Sequence, residues 1–334
     1  MKGMRIGNMV AVFMLAVFCC FFTFAGDRAL AAGGDVIRMK LANANPAGDI
    51  KDQVALRFKE LVEKKSNGKV VIEVYSGGTL GDWREAIEGL GMGIDEIVLE
   101  SMGGLDAWTK LANIDAVPYI YRDYDHFIAV WYGDLGKKML ETVGEQGGFK
   151  LLAPMYRGAR IVTTKVPFTN LKELKGLKMR VPNIAVYIET WKTLGAAPTP
   201  LALTETFTAL QQNTVVAQEN PTIESYGHGF YDVCKYLVTT NHVFSADMFI
   251  FNRKYFNGLS PEVQKIITDS ANEAAKWRNE LAVKKEADYF KMFRDKGVTI
   301  IEPKREEFIA AFDGFVDKVF PYLKEWTTAI KEVK

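Results

Sequence analysis

The apolar positions of this chain change period as they are followed from residue 36 onward. Residues 36–42, 70–75 and 94–99 are short runs rich in Val, Ile and Leu, with the length and composition of strands. Between the first two, Val54, Ala55, Phe58, Leu61 and Val62 fall on one face at helical spacing. This predicts a helix over 49–66, closed by Asn67-Gly68. Further strands are predicted at 151–156, 161–164, 177–181, 215–218 and 248–251, and 124–143 reads as another helix. Strands alternating with helices predict βαβ units and a largely parallel sheet.

The longest helical pattern opens at Ser260-Pro261, a good N-cap followed by proline at the first helical position. No glycine or proline interrupts it before Gly297, so at 1.5 Å per residue it runs to roughly 50 Å. That exceeds the width of one small domain. Lacking heptad repeats, it is expected to brace two lobes rather than form a coiled coil. The length of 334 residues fits two domains.

The first 31 residues stand outside this pattern. Lys2 and Arg5 precede an uncharged apolar stretch over 9–25, and Arg28-Ala-Leu-Ala31 supplies an A-x-A site, the layout of a secretory signal peptide. A membrane anchor is the alternative, but about 17 apolar residues is the short end of the spanning range. Removing 1–31 takes away Lys2, Arg5, Arg28 and Asp27 and shifts the formal net charge from +1 to −1. There is no basic footprint for nucleic acid, and no later segment is apolar enough to cross a bilayer. Cys19 and Cys20 go with the leader. Cys234 remains alone and reads as a small buried apolar residue with no disulfide partner. An exported chain that relies on its core fits a bacterial periplasm.

Such a chain suggests a ligand between lobes, and ligands of these sheets sit beyond the carboxyl ends of strands. Three strand ends carry candidate chemistry: Tyr156-Arg157-Gly158-Ala159-Arg160, Lys178-Met179-Arg180-Val181-Pro182-Asn183 and Gln218-Glu219-Asn220-Pro221. An arginine presents a planar fork that matches the two oxygens of a carboxylate. Pro182 keeps Val181 extended and stiffens the backbone beside Arg180. Asn220 can donate to the same anion. Taken singly, a strand-end arginine more commonly meets an acid of its own chain. Tyr226 and His228 follow Pro221 and are candidates for the cleft or hinge. His126, His228 and His242 show no ligand spacing, so no metal and no cofactor is expected, and GxSxG, HExxH and Gly-rich phosphate loops are absent from the sequence.

The stretch "GLKMRVPNIAVYIETWKTLGAAPTPLALTETFTALQQNTVVAQENP" resembles the signature region of DctP-type substrate-binding proteins of TRAP (tripartite ATP-independent periplasmic) transporters. The resemblance extends to "SNGKVVIEVYSGGTLGDWRE" and "LSPEVQKIITDSANEAA". It implies an α/β, two-lobed periplasmic binding protein fold with hinge strands and a long helix spanning both lobes. On that pattern lobe I is 32–157 plus about 246–285, and lobe II is 158–245 plus about 286–334. The resemblance also implies that Arg180 forms a two-pronged salt bridge with a ligand carboxylate, that Arg160 is the second arginine of the site, and that Asn220 assists. "LES" places Glu100 where the sialic-acid-binding branch has an acidic ligand contact, and Asn43 or Asn45 fits the polar residue of the first strand. Implied partners are a small carboxylate ligand and the large and small TRAP membrane subunits, with the binding protein itself a monomer.

Departures narrow the ligand. Trp83 stands where the sialate-binding branch has an acid, Gly103 replaces an arginine, and Leu203 replaces a phenylalanine. Sugar contacts are lost and an indole is gained, which points away from sialic acid. Val216-Ala217 replaces Asp-Gly, a packing change. Trp83 either stacks on a flat ligand or packs in the core, and an ionised Glu100 requires a donor such as an amine, amide or hydroxyl. The expectation is therefore a non-enzymatic capture protein for a small monocarboxylate with an aromatic or apolar part, an amino acid among the possibilities. The alternatives are an exported enzyme with Glu100 as general base, or a sensor component.

Overall fold

The structure is a computed structural model and describes residues 36–334. The leader and its cleavage site lie outside the described residues. Ten strands build the sheet: β1 Ile37–Ala42, β2 Val70–Tyr75, β3 Ile97–Ser101, β4 Phe149–Thr164, β5 Lys178–Val181, β6 Ala197–Pro200, β7 Ala217–Pro221, β8 Tyr236–Val238, β9 Phe244–Asn252 and β10 Thr299–Ile301. Their order is β2-β1-β3-β9-β4-β7-β5-β6, with β8 pairing to β4 and β10 to β8. Parallel pairing holds in the outer parts, β1 with β2 and β3, and β5 with β6 and β7. The centre is antiparallel, because β9 and β4 run against their neighbours. Helix–strand alternation signals the parallel flanks, whereas β9 arrives from a distant stretch of chain and carries no local sign of its direction.

One strand joins the two half-sheets. From Phe149 to Ala159, β4 pairs with β9, and from Arg160 to Thr164 it pairs with β7 and β8. The sequence suggests two strands here, 151–156 and 161–164, with Arg157 to Arg160 between them. The chain instead runs through, absorbing Gly158 at φ 98° among register shifts against β9. Arg157 and Arg160 consequently sit mid-strand, on the crossing point, rather than at strand ends.

The helix predicted at 49–66 spans Ile50–Lys65. The Asp49 side chain caps it by accepting from Lys51 N at 2.8 Å, and its predicted apolar stripe is buried. The helix expected over 124–143 is two, Tyr124–Tyr132 and Asp134–Gly147. Gly133 between them takes an extended conformation in which an added Cβ would lie 2.6 Å from the Ala129 carbonyl oxygen. The strand expected at 94–99 begins three residues later, since Gly93 terminates the preceding helix in the left-handed region and Ile94 is exposed. In exchange it takes in the polar Glu100 and Ser101, both buried.

The long helix is continuous over Pro261–Asp295, and Ser260 Oγ accepts from Val263 N at 3.3 Å. Its first half packs through Ile267, Ala271, Ala274 and Ala275 into the core beneath β1, β3 and β9. Its far end packs through Phe293 against Ile161, Leu237 and Val298 on the other half-sheet. Cys234 is buried, and burial pushes its thiol up to about 12, so it is inert as a nucleophile. No helix among the described residues is long and apolar enough to cross a membrane.

Candidate functional site

A small cavity lies where the two half-sheets meet at β4. Six of the eight sequence candidates line it: Trp83, Glu100, Arg160, Arg180, Leu203 and Asn220. β5 ends in Arg180 just before Pro182, β7 carries Asn220, and the end of β3 carries Glu100. Trp83 opens the Trp83–Met92 helix, whose capping box pairs Asp82 with Glu85. Its indole reaches both the cavity and the core, so packing and lining are compatible. Gly104 leaves it room, for a Cβ there would touch the ring at 3.3 Å, and the Arg84 guanidinium covers the indole at 4.7 Å.

Asn43 and Asn45 do not reach this cavity. Asn43 donates to Ser76 Oγ at 2.8 Å and accepts from Asn45 N at 2.9 Å, and Asn45 donates to Asp49 at 3.1 Å. Both shape the turn that leads from β1 into the next helix, although Asn45 Oδ1 has no hydrogen-bond partner among the described residues.

The charges of the site separate into paired and unpaired groups. Arg160 is buried and grips Glu219 in a fork, with Nη2 to Oε1 at 2.7 Å, while its plane stacks on Tyr187 at 4.6 Å. Glu219 is also met by His242 Nε2 at 3.0 Å, and His242 Nδ1 contacts Thr240 Oγ1 at 2.9 Å. Burial works to raise the Glu219 carboxyl, but the Arg160 guanidinium and His242 overcome it and hold it at about 2.

A second buried network holds Glu100. Its Oε2 accepts from Lys51 Nζ at 2.8 Å, Oε1 accepts from both Ser101 N and Oγ, and Arg157 lies 3.6 Å away. Arg157 in turn forks onto Glu224, at 3.0 and 2.6 Å, and contacts Asp247 at 3.2 Å. Burial would raise the Glu100 carboxyl, yet Lys51 and Arg157 drive it below its ordinary value. The donor that an ionised Glu100 requires is therefore Lys51, a residue the sequence reading passed over as part of an ordinary helix.

Arg180 is the exception. It is 1% exposed, and its Nε donates to the Leu201 carbonyl at 3.0 Å. Among the described residues no carboxylate lies within 4.0 Å of its guanidinium. Burial lowers it to about 10, still charged at neutral pH. The sequence reading also missed Ser101, Pro182, Ile184 and Tyr187 as lining residues. Tyr187 is buried with its hydroxyl lacking any hydrogen-bond partner among the described residues. Its position two residues into a helix behind the Arg-Val-Pro turn was the available signal. The arrangement offers one free buried cation, a spare phenol, an amide at Asn220 and an apolar wall of Trp83, Ile184 and Leu203. Chemically it can seat one small anion.

Comparison with known proteins gives a consistent result. Residues 41–322 match the pattern of the family described as bacterial extracellular solute-binding protein, family 7. A solute-binding protein of Verminephrobacter eiseniae is 34% identical over 76% of each chain. The crystal structure of a TRAP periplasmic solute-binding protein of Roseobacter denitrificans with bound L-galactonate superposes with a TM-score of 0.85 at 27% identity, covering 89% of this chain and 99% of that one. A corresponding protein of Polaromonas bound to D-erythronate gives 0.84 at 29% identity over the same shares.

Proposed function

The chain belongs to family 7 of the bacterial extracellular solute-binding proteins, and on that premise we propose that it is the periplasmic, non-catalytic capture subunit of a TRAP transporter for a small organic monoacid. The observation that carries the reading is Arg180, a buried guanidinium without a carboxylate of its own on the wall of a cavity drawn from both half-sheets. A buried charge left unpaired is costly, and an entering carboxylate relieves that cost with a two-pronged pair. Arg160 and Arg157 are already neutralised by Glu219 and by Glu224 with Asp247. Of the three arginines lining the cavity, Arg180 alone lacks a carboxylate partner, so the site has one place for a ligand carboxylate, which argues for a monoacid over a diacid.

The rest of the cavity favours a hydroxy acid with one apolar face. Tyr187, Asn220 and Ser101 offer hydrogen bonds, and Trp83, Ile184 and Leu203 offer apolar contact. L-Galactonate and D-erythronate, held by the solved relatives, are hydroxy monoacids. An amino acid is less favoured than the sequence suggested, because Lys51 already occupies the Glu100 carboxylate that would meet an amine. The same pairing argues against Glu100 as a general base, since a carboxylate stabilised by two cations is a weak one. Capture follows from geometry: Trp83 and Glu100 approach from one half-sheet and Arg180 and Asn220 from the other, so a ligand touching both favours the shut state. Handing the ligand to the large and small membrane subunits completes the role.

Titration calorimetry with sugar acids, short hydroxy acids, aromatic acids, amino acids and C4-dicarboxylates tests this. A monoacid should bind and be recovered chemically unchanged. Arg180→Ala should weaken it roughly thirtyfold or more, a loss on the order of 2–5 kcal/mol. Binding of the variant within about threefold of wild type would place the clamp elsewhere.

A further inference from the structure

The helix that carries Tyr187, Ala185–Thr193, starts on a residue that cannot cap it. Its N-cap is Ile184, whose side chain makes no cap hydrogen bond, and a branched apolar residue is among the poorest at that position. The first amides of the helix are nonetheless satisfied. Ala185 N donates to Asp106 Oδ2 at 3.0 Å, and Val186 N donates to Asn113 Oδ1 at 3.1 Å. Both acceptors follow β3, Asp106 directly after the Met102–Leu105 turn and Asn113 within the Lys110–Ala116 turn, on the β3 side of the cavity.

Each acceptor is itself fixed. Asn113 is buried and donates to the Lys110 carbonyl at 3.1 Å. Asp106 Oδ1 pairs with Arg84 at 3.1 Å, and the same Arg84 nitrogen donates to the Asn183 carbonyl at 2.6 Å. Asp82 adds a fourth contact across the mouth, accepting from Leu203 N at 3.3 Å. The bridged segment is the one behind Arg180, and its Pro182, Ile184 and Tyr187 line the cavity. An acid at a helix N-terminus is also favoured by the helix dipole.

We propose that Asp106 and Asn113, braced by Arg84, cap the Ala185–Thr193 helix across the cleft, and so position the cavity wall only when the two half-sheets meet. The cap is split between halves: with the halves apart, the helix loses its acceptors and the amides return to water. With the halves together, Tyr187 and Ile184 are pinned over the ligand. These are positioning residues, since none of them lines the cavity. The inference rests on capture by closure.

The test compares wild type, an Asp106→Ala/Asn113→Leu double variant that lacks acceptors, and an Asp106→Asn/Asn113→Asp variant that keeps them. Hydrogen exchange is followed at Ala185 and Val186, with melting temperature alongside. With ligand bound, the acceptor-less variant should exchange these two amides roughly five- to tenfold faster and leave amides 190–193 unchanged, and without ligand it should melt as wild type. The acceptor-keeping variant should track wild type. In calorimetry with whichever of L-galactonate, D-erythronate or D-glucuronate binds wild type, the first variant should lose about five- to tenfold in affinity through faster dissociation. Unchanged exchange at 185 and 186, or a uniform rise along the helix, would overturn the proposal. If none of the three acids binds wild type, the hydroxy-acid reading fails, and the exchange comparison run with whichever acid of the calorimetry panel does bind still decides the cap.

Discussion

Glu219 shows how a single side chain can be fixed by its neighbours. It is fully buried, and only the Arg160 fork and His242 keep it ionised. Its folded value of about 2 lies below that of an unfolded glutamate, so its contribution is complete above about pH 4.5 and is lost as pH falls toward 2. That contribution is on the order of 3 kcal/mol. The melting temperature should therefore fall through this window, and in Glu219→Gln, less stable at neutral pH, the fall should be shallower; acid titration followed by circular dichroism checks both. The same scale shows what the sequence could say. Arg180, Arg160 and Asn220 were legible as residues of the cavity wall because each sits in a distinctive motif. Lys51 was not, since a lysine in the first turn of an amphipathic helix looks solvated, and only the tertiary approach of Glu100 and Asp247 reveals it as a buried ion.

At the scale of elements, β4 decides where the site lies. Its outer parts were legible from the apolar run Leu151 to Tyr156 and the β-branched run Ile161 to Thr164, but the middle was not. Arg157-Gly158-Ala159-Arg160 has loop composition, and only pairing with β9 on one side and β7 on the other makes it strand. Gly158 allows this. At φ 98° its backbone suits no L side chain, although space is available, the nearest atom to an added Cβ being Pro221 Cβ at 3.8 Å. Gly158→Ala should thus cost about 1–3 kcal/mol through backbone strain alone. It should also weaken ligand binding, because the strained residue lies between Arg157 and Arg160. Chemical denaturation and calorimetry on the one variant check both effects. Retained stability would mean that the bulge relaxes. The long helix is the opposite case: serine, proline and an uninterrupted run fixed its start and length, with no tertiary knowledge required.

The whole molecule is legible as two half-sheets braced by one helix, yet the fit between the halves is not, because contacts between residues distant in sequence leave no periodic trace. One such contact involves elements other than those of the cap at Asp106. Asp49, which caps the Ile50–Lys65 helix of the β1 half, lies so close to Gly227 at the end of the Thr222–Gly227 helix that a Cβ on Gly227 would come within 2.2 Å of Asp49 Oδ2 and 3.2 Å of Cγ. That carboxyl cannot swing aside freely, since it accepts from Lys51 N at 2.8 Å and from Asn45 Nδ2 at 3.1 Å. Gly227→Ala should therefore act as a wedge. With the halves apart the methyl has room and the melting temperature without ligand should stay near wild type. With the halves together it collides, so ligand affinity should fall roughly tenfold or more, a closure penalty of about 1.4 kcal/mol or above. Shortening the obstacle separates the wedge from a folding defect: Asp49→Ser keeps a capping oxygen and should restore much of the affinity in the Gly227→Ala background. If the alanine variant binds normally, or if the serine fails to rescue it while both proteins remain folded, the halves do not meet at this point when ligand is captured.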